Sequence, residues 1–268
     1  MSIVTLLTDF GAASPYPAEV RGVLAACSRA RLVEITHDVT PHDIRAGAYT
    51  LATAAFAFPV GSVHLAVVDP TVGSARRAIA TAAGGHVFVG PDNGLLMGAT
   101  ASAGRYRVFE IDVERFAAPA ASSTFHGRDL FAPVAAALAG GLRIERVGTP
   151  VDDAVILRER EPRRRATRID GEVAYQDRFG NLVTNIPGAW LSEVRVTAVI
   201  ARRRRVRARR ARTYADGSRR DVLVLVGSAS TVEIAIYGGG AAARLGLKPG
   251  DAVAIEMPRS AESRRRVK

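Results

Sequence analysis

Through the first 140 residues, apolar runs of strand length alternate with segments of helical periodicity; beyond about residue 170 the helical segments stop and short β-type runs follow one another. Strands spaced by helices build βαβ units and a mainly parallel sheet, whereas strands spaced only by turns build a closed or sandwiched sheet. The early strands are Ile3 to Leu7, Leu32 to Ile35, Val63 to Val68, Ala78 to Ala82, Val87 to Val89 and Val108 to Ile111. Between them, 17–28 sets Val20, Val23, Leu24 and Cys27 at helical spacing, and 43–57 and 128–139 are rich in alanine and leucine. The later strands are Gly171 to Tyr175, Leu182 to Ile186, Val194 to Ile200, Val222 to Val226, Val232 to Tyr237 and Ala252 to Met257, which fit a small β-barrel or sandwich. The charged stretch Arg158 to Arg165 marks the boundary, dividing the chain into a Rossmann-like α/β domain over 1–160 and a smaller β domain over 168–268.

Parallel sheets bind ligands outside the carboxyl ends of their strands. Three carboxylates fall there: Asp9, Asp69 and Asp92. Residues 46–68 carry no formal charge, but Pro59, Gly61 and Ser62 interrupt them, so they read as helix, turn and strand rather than a membrane span. The start of the chain has no basic segment of the kind that opens an export signal, and a single cysteine, Cys27, makes neither a bridge nor a zinc site. The expected location is cytoplasmic.

The net charge of +11 is unevenly placed: 1–160 hold 14 basic and 15 acidic side chains, and 161–268 hold 23 and 11. The excess lies in Arg163 to Arg165, in Arg202 to Arg205 with Arg207, Arg209, Arg210 and Arg212, and in Arg264 to Arg266 with Lys268. No aromatics interleave with the long run as a single-strand stacking platform requires, so it reads as a solvated surface rather than a nucleic-acid site. Its expected place is a strand pair, with Asp216-Gly217 as the reversal.

Dinucleotide, P-loop, zinc-protease and lipase signatures are all missing. What carries chemistry is a set of polar clusters at strand ends. Thr8-Asp9-Phe10-Gly11 offers a carboxylate to a ribose diol or to a helix cap. Asp69-Pro70-Thr71-Val72-Gly73-Ser74-Ala75-Arg76-Arg77 pairs a carboxylate with an arginine across a turn. Thr124-Phe125-His126-Gly127-Arg128-Asp129 sets an imidazole before a helix, and Gln176-Asp177-Arg178-Phe179-Gly180-Asn181 sets an aromatic between amide and carboxylate, suited to stacking a purine.

In this order, together with Gly90-Pro91-Asp92-Asn93-Gly94-Leu95-Leu96, Asp177 to Asn185 and Glu233-Ile234-Ala235, these clusters resemble the S-adenosylmethionine (SAM) hydroxide adenosyltransferases, relatives of fluorinase and chlorinase. The resemblance implies an α/β domain followed by a β-barrel, and hydrolysis of SAM to adenosine and methionine by water attacking the ribose C5′. It implies Asp69, Arg76 and His126 as catalytic triad and Asp9 on the ribose hydroxyls. Phe125 joins the substrate contacts, Phe179 and Asn181 hold the adenine with help from the Gly238 backbone, and Asp177 and Ser228 meet the methionine ammonium and carboxylate. It also implies a homotrimer with active sites at subunit interfaces, and no metal or cofactor, SAM being the substrate. Ser14 and Thr71 depart from the family pattern, where an aspartate and a glycine are more usual. A SAM-dependent halogenase is the alternative, disfavoured because a carboxylate at position 69 repels a halide by several kcal/mol at an effective dielectric near 20. A SAM- or nucleic-acid-binding module without turnover is the other.

Overall fold

A computed structural model describes residues 2–118, 122–192 and 194–258, so the basic tail Arg264 to Lys268 lies outside the described residues. The chain forms two compact units, Met1–Leu157 and Arg158–Lys268.

The first unit has seven strands: β1 (Ile3–Thr8), β2 (Arg31–Thr36), β3 (Val63–Val67), β4 (Ala78–Ala83), β5 (His86–Pro91), β6 (Tyr106–Ile111) and β7 (Gly148–Val151). They lie in the order β2-β1-β3-β5-β4-β6-β7. The half β2-β1-β3-β5 is parallel and the half β5-β4-β6-β7 antiparallel. Sequence explains the switch. No helix separates β4 from β5, only Gly84 and Gly85, whose φ angles of 57° and 79° make the two-residue turn that right-twisted hairpins favour.

Helices α1 (Tyr16–Cys27), α2 (Ile44–Ala54), α3 (Met97–Ser102), α4 (Val113–Phe116) and α5 (Ala132–Ala139) accompany the sheet. One face buries Val4, Leu6, Leu65, Val67 and Val89 against Val20 and Leu24 of α1 and Phe131, Val134 and Leu138 around α5. The uncharged segment 46–68 is indeed helix, turn and strand, and no helix among the described residues is long and apolar enough to cross a membrane. The helix expected over 128–139 divides: Gly127–Phe131 is a π turn and α5 begins at Ala132, with Pro133, which lacks an N–H, in its first turn.

The second unit holds β8 (Arg163–Arg164), β9 (Arg168–Gln176), β10 (Leu182–Pro187), β11 (Ala198–Ala201), β12 (Arg204–Arg210), β13 (Val222–Val226), β14 (Thr231–Ala235), the short helix α6 (Ala241–Leu245) and β15 (Ala252–Glu256). Strands β10-β14-β13-β12-β11-β15-β9 close through a β9–β10 pairing into a seven-stranded barrel, with β8 added beyond β9. Ile169, Val173, Leu182, Val199, Val224, Ile234 and Ile255 fill it. Two expectations are corrected here. The strand expected from Val194 begins only at Ala198. The reversal within the arginine run is at Arg202-Arg203, both with positive φ, and not at Asp216-Gly217. Those two residues belong to a crossover, because β12 and β13 run parallel, and Thr213 and Asp216 cap a 3₁₀ turn within it.

A buried histidine pair sits between β1, β3 and β5. His64 Nδ1 contacts Thr5 Oγ1 at 2.7 Å, its Nε2 lies 3.0 Å from His86 Nδ1, and its ring stacks on Phe88. Burial, aided by His86, depresses the His64 pKa to about 4. The fold therefore favours the neutral ring, and the stabilisation is complete above the ordinary value near 6.5 and is lost as pH falls towards 4. It amounts to about 3 kcal/mol. Thermal unfolding followed from pH 7 to 4 should show that loss, and His64→Gln should flatten it; an unchanged pH dependence in the variant would contradict this reading.

Candidate active site

The parallel half of the first sheet delivers Asp9 and Asp69 just past the carboxyl ends of the neighbouring strands β1 and β3. Asp69 opens a turn closed by Val72 N–H to the Asp69 carbonyl and Ser74 N–H to the Thr71 carbonyl. At Gly73 the backbone has φ +81°, and a Cβ there would stand 2.8 Å from the Ser123 carbonyl oxygen. Only glycine permits both the turn and that approach, which brings the loop of Arg76 against the loop of His126.

Arg76 links the other two. Its Nε donates to both oxygens of Asp69, at 2.9 and 3.1 Å, and Nη2 donates to Asp69 Oδ2 and, at 2.9 Å, meets His126 Nδ1. The side chains of Asp69 and Arg76 are 5% and 8% exposed. The Arg76 guanidinium also lies over the Phe131 ring, 5.2 Å from its centroid. A guanidinium has no acceptor, so His126 Nδ1 must receive that bond with its lone pair. The ring is then neutral, with its proton on Nε2. Burial, followed by the Arg76 charge, lowers the His126 pKa below its ordinary value, which agrees with that state.

The loop before His126 is pinned by Arg128 and Asp129, a pair to which the sequence pattern alone assigns no role. Asp129 accepts the Ser122 N–H at 2.7 Å and is gripped at both oxygens by Arg128, which reaches on to Glu19 of α1 at 2.6 Å. The Arg128 hydrogen bonds hold the Asp129 carboxyl below the usual carboxylate range. The available signal was adjacency: a basic and an acidic residue directly after His126-Gly127, in the first turn of a helix.

Asp69 and His126 line a hollow of about 260 Å³ with Asp9, His42 and an edge-to-face cluster of Phe10, Tyr16 and Phe125. Asp9 caps no helix, since α1 starts at Tyr16 after Pro15; its Oδ2 accepts the His42 N–H at 2.9 Å, leaving Oδ1 for a second donor. Asp92, the third strand-end carboxylate, is buried and spent on structure, bound by Arg77 Nε at 2.9 Å and the Val155 N–H at 2.8 Å.

The second unit has its own hollow, about 620 Å³, lined by Asp177, Phe179, Asn181, Tyr214, Tyr237 and Gly238. Phe179 is 80% exposed, an aromatic face without a partner ring among the described residues. Asp177 receives the N–H groups of Phe179 and Asn181 and the Asn181 amide, at 2.8 to 2.9 Å, so it shapes the loop that presents Phe179. Beside it Glu233 is buried, its pKa raised by burial, and accepts the Tyr214 hydroxyl at 2.7 Å. Burial and Glu233 in turn push Tyr214 up to about 12. Ser228 stands exposed in the β13–β14 turn and does not line this hollow.

The SAM hydroxide adenosyltransferase N-terminal domain matches residues 4–148 and the corresponding C-terminal domain matches 171–254. The chain belongs to this adenosyltransferase family. Among curated relatives, the (R)-S-adenosyl-L-methionine hydrolase of Salinispora tropica is 41% identical over 256 residues, covering 94% of this chain and 97% of the relative. That of Thermus thermophilus is 40% identical over 258 residues, covering 93% and 98%. A fluorinase from an Actinoplanes species is more distant, 26% identical, covering 69% of this chain and 71% of its own. Among solved structures, a conserved protein of Thermotoga maritima has a TM-score of 0.87 at 36% identity, covering 94% of this adenosyltransferase-family chain and 99% of its own.

Proposed function

We propose that this chain hydrolyses SAM to adenosine and methionine. The observation that carries the reading is the single guanidinium that bridges Asp69 and His126, two side chains that line one hollow. SAM is a sulfonium, so when a water oxygen bonds to the ribose C5′ the C5′–S electron pair returns to sulfur and methionine leaves as a neutral thioether. The protein must supply an aligned, desolvated water and an acceptor for one proton. With the Nδ1 lone pair taken by Arg76, His126 offers Nε2–H as a donor to the water. That leaves Asp69 as the triad's anionic acceptor, taking the proton and releasing it to solvent. No metal or redox group is needed for that balance.

In this reading Asp9 takes a ribose hydroxyl beside Phe125, and Phe179 and Asn181 hold the adenine, assisted by the Gly238 backbone. Asp177 and Ser228 meet the amino-acid end, where Asp177 has already spent much of its accepting capacity on its own loop. Stacking on an aromatic face gives roughly 1–3 kcal/mol per base, so Phe179→Ala should raise KM for SAM about tenfold with little change in kcat. Its exposure means the melting temperature should hold; a fall in kcat at constant KM would remove Phe179 from the adenine site.

The deciding experiment incubates the purified chain with SAM, offered as each sulfur epimer and without halide, and follows adenosine and methionine chromatographically. Equimolar products support hydrolysis; SAM consumption that requires chloride or fluoride would make it a halogenase, and saturable binding without product would make it a binding module. The homotrimer with shared active sites belongs to the same reading, and a solution mass of one chain would count against it.

A further inference from the structure

The barrel gathers arginines that are distant in sequence. On its outer face, register sets Arg205 beside Ile200, Ile200 beside Ala254, Ala254 beside Asp170 and Asp170 beside Arg163, crossing β12-β11-β15-β9-β8. The result is a trough of about 890 Å³ whose floor is short side chains and backbone, including Gly171, Ile200 and Ala254. One wall carries Arg202 and Arg203 of the β11–β12 turn, the other Arg160, Arg163, Arg165 and Arg168. Among the described residues only two carboxylates, Glu161 and Asp170, line it. Asp170 serves Arg165 and Arg168, and Asp251 serves Arg202 at 3.1 Å, while Arg160, Arg163 and Arg203 have no ion pair among the described residues.

Arg202 and Arg203 are also conformationally costly. Both hold positive φ, 45° and 66°, in a two-residue turn where Asn-Gly is the favoured pair. Local folding preference does not account for two arginines there.

We propose that this trough binds the phosphate backbones of a nucleic-acid duplex. Strands β12 and β9 are three strand spacings apart, about 14 Å, and β8 adds one more. The arginines that line its two walls therefore stand on strands whose spacing is on the scale of the roughly 12 Å width of a B-form major groove. Among the described residues no aromatic lines the trough, so splayed single-stranded bases find no stacking partner there, and the short floor offers few donors to read base edges. Recognition is therefore by backbone charge and independent of sequence. In the linear chain the arginine run carries the charge of a nucleic-acid site but not the interleaved aromatics; the second wall, some 40 residues earlier, becomes its neighbour only through β15 and β9.

Fluorescence anisotropy with a labelled mixed-sequence DNA duplex of about 20 base pairs, between about 50 and 200 mM salt, tests this on the full chain. Binding should weaken linearly in log–log form as salt rises. The variant Arg163→Gln/Arg202→Asn/Arg203→Gly should bind at least tenfold more weakly, with the slope shallower by about 3, near 0.9 for each lost phosphate contact. The control Arg29→Gln/Arg105→Gln/Arg244→Gln removes equal charge elsewhere and should stay within about twofold of the parent. Should the turn changes unfold the barrel, Arg160→Gln/Arg163→Gln leaves the turn intact and should make the slope shallower by about 2. No anisotropy change at low salt, an equal loss in the control, or equal affinity for the matching single strand or for polyglutamate would overturn the proposal.

Discussion

Asp69→Asn is expected to lower kcat for adenosine formation by about 10³-fold with the fold intact. Asparagine keeps the size of the side chain and one oxygen for Arg76, which donates to both carboxylate oxygens in the parent. It removes the anion that takes the water's proton, and base catalysis of this kind contributes about 10² to 10⁴ in rate. Asp69→Ala should abolish turnover as well, but it strands a guanidinium only 8% exposed, and breaking a buried pair from one side costs about 3–5 kcal/mol. The asparagine variant is therefore the cleaner probe. Turnover within tenfold of the parent, measured by single-turnover chromatography alongside a melting curve, would remove Asp69 from the proton's path.

How much of this was legible depends on the range over which each feature is decided. The first six strands and helices α1 and α2 of the first unit followed from local periodicity, whereas the short elements β7, α3 and α4 did not; Asp9 and Asp69 could be set at strand ends because β1 and β3 are short, apolar and followed by turns. The triad entered through family resemblance. Its linkage needed the fold, since Arg76 and His126 are 50 residues apart and meet only because Gly73 lets their loops touch. The tautomer of His126 was likewise invisible: it depends on which ring nitrogen faces the guanidinium. In the second unit Asp216-Gly217 has the composition of a hairpin turn, yet β12 and β13 run parallel and the actual turn is Arg202-Arg203. Pairing between distant strands overrode local turn preference there, and no window of a few residues carries that information.

The state of His126 leads to the second large effect. A protonated ring has no lone pair for Arg76, so acid should break the Arg76–His126 contact and turn two donors against each other. Because burial and Arg76 lower the ring's pKa, the neutral form persists below the ordinary value near 6.5. Activity should therefore hold from pH 8 down past 6.5 and fall only under more acid conditions. His126→Ala should cost about 10³-fold in kcat, the upper range for losing one donor aimed at the reacting oxygen, and leave KM little changed because the ring holds the water rather than the nucleoside. In Arg76→Lys the smaller ammonium cannot make the same forked contact with Asp69 while reaching Nδ1, so the acid limb of the pH–rate profile should move towards 6.5. If the limb stays in place in that variant, burial alone holds His126 neutral and the Arg76 contact is not what sets its state.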